Sequence, residues 1–369
     1  MTVETVIYSY LAICGAVIIF NIASVFVLRG KERGLHKKTT FMKEFIGDCI
    51  ADIDSRGEPD ESHLSFLEKK LRHISYLTAF DEALKELKKE NEEDPEKYLK
   101  AINPVFEKLM GYYTSGRDDI KITYFAYVVS EYGVITGHAT RTMLKYLFRL
   151  LDAPSIYCRE NALHAIYSSG DTDAVLKALK IIDKSSQFHH SKLLYDGMYN
   201  FCGNNHQLIE GLLENFDQFS LNMQTAILDY IRFSSGDYCE EIFAKLTDEG
   251  TDDEIRFSCI RYFGKYPYNP AYPLILKLAE DDGQRRWEYA AIASQSLASY
   301  PTEHSIEILK ENLRSREWHV RFNAAQSLEK MGLSYIDLQD VFDGDDRFAR
   351  EMLQYRFDCR ELEKGGRPA

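Results

Sequence analysis

The fifteen residues WHVRFNAAQSLEKMG, Trp318 to Gly332, decide the reading of this chain. They place Val320-Arg321, then Ala324, Leu328 and a closing Gly332 at fixed spacing. Ala324 and Leu328 lie four apart, on one face of a helix. The small residue lets a second helix approach closely, and the leucine fills the layer beside it. The same landmarks recur. DEIRFSCIRYFGKYP gives Ile255-Arg256, Cys259, Phe263 and Pro267. SIYCRENALHAIYSSG gives Cys158-Arg159, Ala162, Ile166 and Gly170, and WEYAAIASQSLASYP gives Ala293, Leu297 and Pro301. Weaker copies end at Gly133, Gly203 and Gly236.

The closing residues fall at 133, 170, 203, 236, 267, 301 and 332, a spacing of 31 to 37. After each comes a second apolar stretch, such as TDAVLKALKII or TEHSIEILKENL. A period in the thirties with a breaker at each end predicts one helical hairpin per repeat.

This pattern resembles the HEAT repeat family in its short bacterial form, over residues 119–358. The resemblance implies an all-α fold, a right-handed α-solenoid of helical hairpins. It also implies that the arginine after the apolar residue pairs with an acidic group of a neighbouring repeat, and Arg159, Arg256 and Arg321 match that place. The units ending at Gly203 and Gly236 depart from the pattern, because they lack the apolar-Arg pair.

Ahead of the repeats stands a different segment. Thr5 to Leu28 contains no charged residue. At ~1.5 Å per residue it spans about 36 Å as a helix, enough to cross a hydrocarbon core of ~30 Å. Arg29, Lys31, Arg33, Lys37 and Lys38 follow it, against Glu4 and Glu32, so residues 1–38 carry +3 and the rest of the −13 chain carries −16. Basic residues on the C-terminal flank predict a body in the cytoplasm of a cell-membrane, single-pass protein. A cleaved signal peptide needs a positive start and a small-x-small site, and neither is present. LAICG, Leu11 to Gly15, fails as a lipoprotein box because Ile13 is too bulky. Gly15, Ala16, Ala23 and Ser24 permit close helix packing in the bilayer, and Asn21 offers a hydrogen bond there. The organisation expected is an anchor and basic segment at 1–38, a helical region at 39–118, the repeats at 119–358 and a tail at 359–369. In the helical region, Glu61 to Glu90 reads as one amphipathic stretch begun by Glu58-Pro59-Asp60. The charged run Lys85 to Lys97 reads as a solvated helix end.

The acidic balance argues against nucleic acid as a partner. Seven cysteines without a CxxC pair (Cys14, Cys49, Cys158, Cys202, Cys239, Cys259 and Cys359) read as free thiols in a reducing compartment. Cys158, Cys259 and Cys359 are expected to report the sidedness of the body.

No motif of chemistry stands out. There is no phosphate-binding loop and no GxSxG elbow. Di-iron hydroxylases of HEAT-like architecture use His-Glu pairs, and this chain has no His-Glu dipeptide. DNA glycosylases of that architecture use a basic surface, and bilin lyases are soluble. His189-His190 reads as a polar helix end. No catalytic residue, metal or cofactor is expected. GKYPYNPAYP, Gly264 to Pro273, carries Tyr266, Tyr268 and Tyr272 among prolines, and these are the candidate partner-binding residues. The function expected is a membrane-tethered scaffold or regulatory docking protein whose solenoid binds a membrane-associated protein. An accessory subunit of a membrane glycosyltransferase is one form of it. A HEAT-fold enzyme, lyase or hydroxylase-like, and a purely structural assembly subunit are the alternatives.

Overall fold

A computed structural model describes residues 3–91, 93–116, 118–132, 141–280 and 286–365. Among these residues every regular element is a helix. The chain divides into two compact units, Met1–Gln187 with Asn200–Gly203, and Phe188–Tyr199 with Asn204–Ala369. The first holds α1 (Val3–Arg56), α2 (Glu61–Lys70), α3 (Ile74–Glu90), α4 (Glu93–Ala101), α5 (Asn103–Thr114), α6 (Asp119–Glu131), α7 (Arg141–Leu150), α8 (Ile156–Ser168) and α9 (Thr172–Lys184). The second holds α10 (Ser191–Met198), α11 (Asn205–Glu214), α12 (Leu221–Ser234), α13 (Cys239–Thr247), α14 (Asp253–Lys265) and α15 (Tyr272–Ala279). It continues with α16 (Trp287–Leu297), α17 (Glu303–Asn312), α18 (Trp318–Lys330), α19 (Gln339–Phe342) and α20 (Arg347–Gly365).

One helix among the described residues, α1, is long and apolar enough to cross a membrane. Its 54 residues span about 80 Å at ~1.5 Å each. The two halves differ in what surrounds them. Ile18, Ile19, Phe20, Ile22 and Phe26 point in all directions and are each more than half exposed. Met42, Ile46, Cys49, Ile50 and Ile53 instead form a buried stripe, packed on α3 and α4. Lys38 donates to Ser75 Oγ at 2.7 Å, Lys43 to Glu90 at 2.7 Å, and Lys97 on α4 pairs with Asp54. The helix passes through residue 38 without a break.

The stretch Glu61 to Glu90 is two helices. Asp60 occupies the N-cap position of α2 as the sequence predicts, though its side chain makes no cap hydrogen bond. The chain then turns at Leu71 to His73, because α2 packs on α5 while α3 packs on α1, α4 and α6. Tertiary partners override a continuous helical pattern here. The charged run Lys85 to Lys97 is solvated in its middle, but its ends are engaged by Asp81 and Asp54.

Asp81 is 1% exposed, and its burial must be compensated. Lys85 reaches it at 2.9 Å, the Tyr124 hydroxyl donates at 2.8 Å and the Tyr132 hydroxyl at 2.6 Å. Burial opposes the charge on Lys85, but the carboxylate outweighs that effect and raises the lysine pKa. The network joins α3 to the end of α6.

In the second unit alternate helices stack in series: α10 on α12, then α14, α16, α18 and α20. The landmarks of the sequence sit inside this stack and inside α8. Ala162, Cys259, Ala293 and Ala324 are all 0% exposed, and so are Ile166, Phe263, Leu297 and Leu328 four residues later. Polar residues beside them tie neighbouring helices. Asn323, just before the small residue, donates to Ala291 O at 2.8 Å, and Asn161 in the equivalent place donates to Thr123 O at 3.3 Å. Ser327 and Ser296, three residues after it, donate to Ser294 O at 2.8 Å and Ile260 O at 2.9 Å.

Gly170, Gly203, Gly236, Pro267, Pro301 and Gly332 all fall between helices, and Gly133 lies outside the described residues. Gly332 has φ +83° and closes α18 with paired bonds, Leu333 N–H to Leu328 O and Gly332 N–H to Glu329 O. That is the Schellman turn, which favours glycine. The two departing units differ as their sequences do. In α10 the buried pair is Leu194 and Met198, and in α12 it is Ala226 and Tyr230, so the distance to the breaker slides.

Candidate docking surface

The three arginines singled out by the repeat occupy equivalent places and make equivalent bonds. Arg159 donates to Ala153 O at 2.8 Å and Pro154 O at 3.1 Å. Arg321 donates to Ser315 O at 2.6 Å and Arg316 O at 2.9 Å, and Arg256 donates to Asp248 O at 2.6 Å. Arg350 repeats the contact with Gly344 O at 2.9 Å. Where the resemblance implied carboxylate partners, these bonds run to main-chain carbonyls of the loop before each arginine's own helix. The arginines clamp inter-helix loops, and Arg350 is a copy that the sequence reading passed over.

Tyr266, Tyr268 and Tyr272 are half-buried and engaged with their neighbours. Tyr266 lies against Tyr262 with centroids 5.1 Å apart and covers Gly236. Tyr268 stacks on Phe263 at 5.9 Å, and its N–H donates to the Tyr300 hydroxyl at 2.9 Å. Tyr272 stacks on Tyr300 at 5.2 Å and bonds to Ser305 Oγ at 3.1 Å. A neighbouring loop repeats the device, since Tyr238 N–H donates to the Tyr262 hydroxyl at 3.2 Å. These tyrosines staple successive turns.

A different set of rings is freer. The chain has two tryptophans, and Trp287 and Trp318 are the first residues of α16 and α18. They are 37% and 49% exposed. The Trp287 ring stacks on His319 at 5.2 Å, and Trp318 stacks on Phe322 at 4.9 Å. Arg356 lies over Phe322 at 5.4 Å, and Arg321 lies over Phe348, itself 65% exposed, at 5.5 Å. This is a continuous edge of π faces and guanidiniums across three stacked helices. Arg286 borders it, held by Glu288 at 2.9 Å and Asp253 at 3.0 Å, contacts that raise its pKa. The sequence reading used both tryptophans only as the start of a repeat. The missed signal was position: six residues before Ala293 or Ala324 lies about 120° around the helix from the buried stripe.

His190 caps α10, its Nδ1 accepting from Lys192 N–H at 3.1 Å, as a polar helix end should. His189 beside it is buried. Among the described residues no group of three or more His, Cys, Asp or Glu is placed to hold a metal ion. All seven cysteines are free thiols.

No family model matches the chain, and no curated protein matches it. Among solved structures that resemble it is the crystal structure of an engineered protein, 15% identical, covering 89% of this chain and 95% of that one with a TM-score of 0.34. A superposition that loose carries no argument about fold or function.

Proposed function

We propose that this chain is a membrane-anchored docking scaffold. In this reading α1 crosses the cell membrane once, and the body is a right-handed solenoid of HEAT-like hairpins in the cytoplasm. The observation that carries the reading is α1, exposed and apolar in its first half and packed into the first unit in its second. A span that enters the body as one helix holds that unit at a set angle to the bilayer. Tethering also confines the search for partners to one membrane and raises effective concentration. The basic residues after Leu28 support the orientation. The alternate-helix stacking and the bonds repeated in register support the solenoid.

The partner is a protein of the same membrane with a basic cytosolic face, matched to the −16 of residues 39–369. A membrane glycosyltransferase, with this chain as its accessory subunit, is one such partner. Contact falls on the edge of Trp287 and Trp318, since exposed tryptophans flanked by arginine are the residue types that dominate binding energy. Affinity purification from the native membrane in mild detergent tests this. A stoichiometric membrane protein is expected with the wild type and should be lost with the Trp287→Ala/Trp318→Ala pair. Absence of any stoichiometric partner sinks the scaffold, and retention by the double variant sinks the edge.

A further inference from the structure

Against the acidic balance of the chain, one cavity is lined with cations. Four helices of the second unit build it: α12 gives Arg232, α14 gives Arg261 and Lys265, α16 gives Gln295, and α18 gives Lys330. Its volume is about 270 Å³, and no carboxylate lines it. Helix electrostatics accounts for part of this. Lys265 and Lys330 are the last residues of α14 and α18, where a cation complements the negative end of the dipole. It does not account for the two arginines. Arg232 pairs with Asp229 at 3.0 Å, but its Nε is buried with no hydrogen-bond partner among the described residues. Arg261 is half-buried and has no ion pair within 4 Å among the described residues. Burial lowers its pKa, and Arg232 pushes the same way against the pull of Asp229. Asp229 is itself desolvated, its pKa raised by burial despite both arginines. Glu329, next to Lys330, is committed to Arg356 at 2.7 Å. The cavity therefore concentrates more positive charge than its own carboxylates compensate.

We propose that this cavity binds a phosphate group, carried by a small phosphorylated molecule or by a phosphorylated side chain of a partner. A dianion there meets the Arg261 and Arg232 guanidiniums and the Lys330 ammonium, with the Lys265 ammonium, which also donates to Arg232 O at 3.0 Å, at its border. The exposed Gln295 amide is a further donor, whereas the hydroxyls of Ser296 and Ser299 already donate to Ile260 O and Gly264 O. The cavity is too small for an extended chain, so a single anionic group is the fitting occupant.

The test is calorimetric titration of the full chain in detergent micelles, at constant ionic strength, with inorganic phosphate and with O-phosphoserine as probes. Saturable binding is expected, weakened at least tenfold by Arg261→Gln and by the exposed charge reversal Lys330→Glu, and unchanged by Lys69→Gln outside the cavity. Melting curves confirm that each variant is folded, and Lys330→Glu keeps the test open if Arg261→Gln is not. Tighter binding of O-phosphoserine assigns a side-chain source, and equal or tighter binding of inorganic phosphate assigns a small-molecule source. No saturable binding by the wild type overturns the proposal, as does binding that survives both cavity variants. Neither result touches the docking edge, which is scored separately by partner capture.

Discussion

Trp287 on α16 and His319 on α18 stack with ring centroids 5.2 Å apart and planes 21° from parallel. A pair that bridges two helices while leaving Trp287 37% exposed gives the chain an intrinsic optical probe. Because both tryptophans of the protein lie on one edge, emission should be quenched by acrylamide in the free protein and shielded when a partner covers that edge. Trp318→Ala should lower stability by only about 1 kcal/mol, the worth of an aromatic pair at a half-exposed site. Emission that resists quenching in the free protein would show that the edge is covered by the protein itself.

The repeat register makes a sharper prediction. Ala324 is 0% exposed between stacked helices, so Ala324→Leu overpacks the layer and should cost about 1–3 kcal/mol. Lys310 on the neighbouring α17 is unsuitable as a surface control. Its ammonium pairs with Asp340 at 2.8 Å and reaches Asp337 O at 3.2 Å. Glu311 is exposed and serves instead, with Glu311→Ala expected within about 0.5 kcal/mol of wild type. Equal urea midpoints for the two variants would refute the register.

What the sequence disclosed and what it hid follow from the range of the interactions. Ala324, Leu328 and Gly332 act within one helix and its turn, so their spacing carried the layer and the closing glycine. The long apolar helix at the N-terminal end was legible for the same reason, since length and the absence of charge are local. Asp81 was illegible because the tyrosines that satisfy it lie 43 and 51 residues away. The break at Leu71 to His73 was hidden because two helices with different partners share one apolar rhythm. For Tyr266, Tyr268 and Tyr272, ring type and neighbouring prolines suggested recognition, while Tyr300, which Tyr272 stacks on and to which the Tyr268 N–H donates, lies about 30 residues further along the chain.

Acid should weaken the first unit through His63. The ring stacks on Phe45 at 4.0 Å and shares a 2.9 Å hydrogen bond with the Tyr98 hydroxyl, joining α1, α2 and α4. Burial lowers its pKa to about 4, against roughly 6.5 in the unfolded chain. Between those values unfolding takes up a proton. This contribution is therefore full above about pH 6.5 and is lost as pH falls towards 4, at no more than ~1.4 kcal/mol per unit. His63→Phe should flatten the slope over that window. It should also cost about 1–3 kcal/mol at neutral pH, because the Tyr98 hydroxyl is left unpaired. An unchanged slope in the variant would remove His63 from the account.

Sidedness must be read from the right thiol. Cys158 and Cys259 are 2% and 0% exposed, and burial raises the Cys259 pKa to about 12, so neither reacts appreciably in the native fold. Cys202 is exposed and Cys359 half-buried. Peptide mapping after impermeant maleimide should find Cys202 unmodified in intact cells and modified once the membrane is opened, with Cys158 and Cys259 silent in both. Labelling of Cys202 before permeabilisation would reverse the orientation.

The tyrosine staple can be tested against the recognition role by coupling. A Cβ at Gly236 would sit 2.5 Å from Cδ1 of Tyr266, closer than real contacts allow. Gly236 lies outside the left-handed region, so alanine there is strained by the ring alone. Gly236→Ala should cost about 1–3 kcal/mol by forcing the ring aside. Tyr266→Ala should cost a similar amount by emptying the place over Tyr262. If the two act through one contact, the double variant loses less than the sum, because the methyl group occupies space the ring has left. A coupling of at least about 0.5 kcal/mol in thermal or urea melts is expected. Strict additivity would mean that Tyr266 does not hold the turn at Gly236, and would return its ring to the set of residues free to meet a partner.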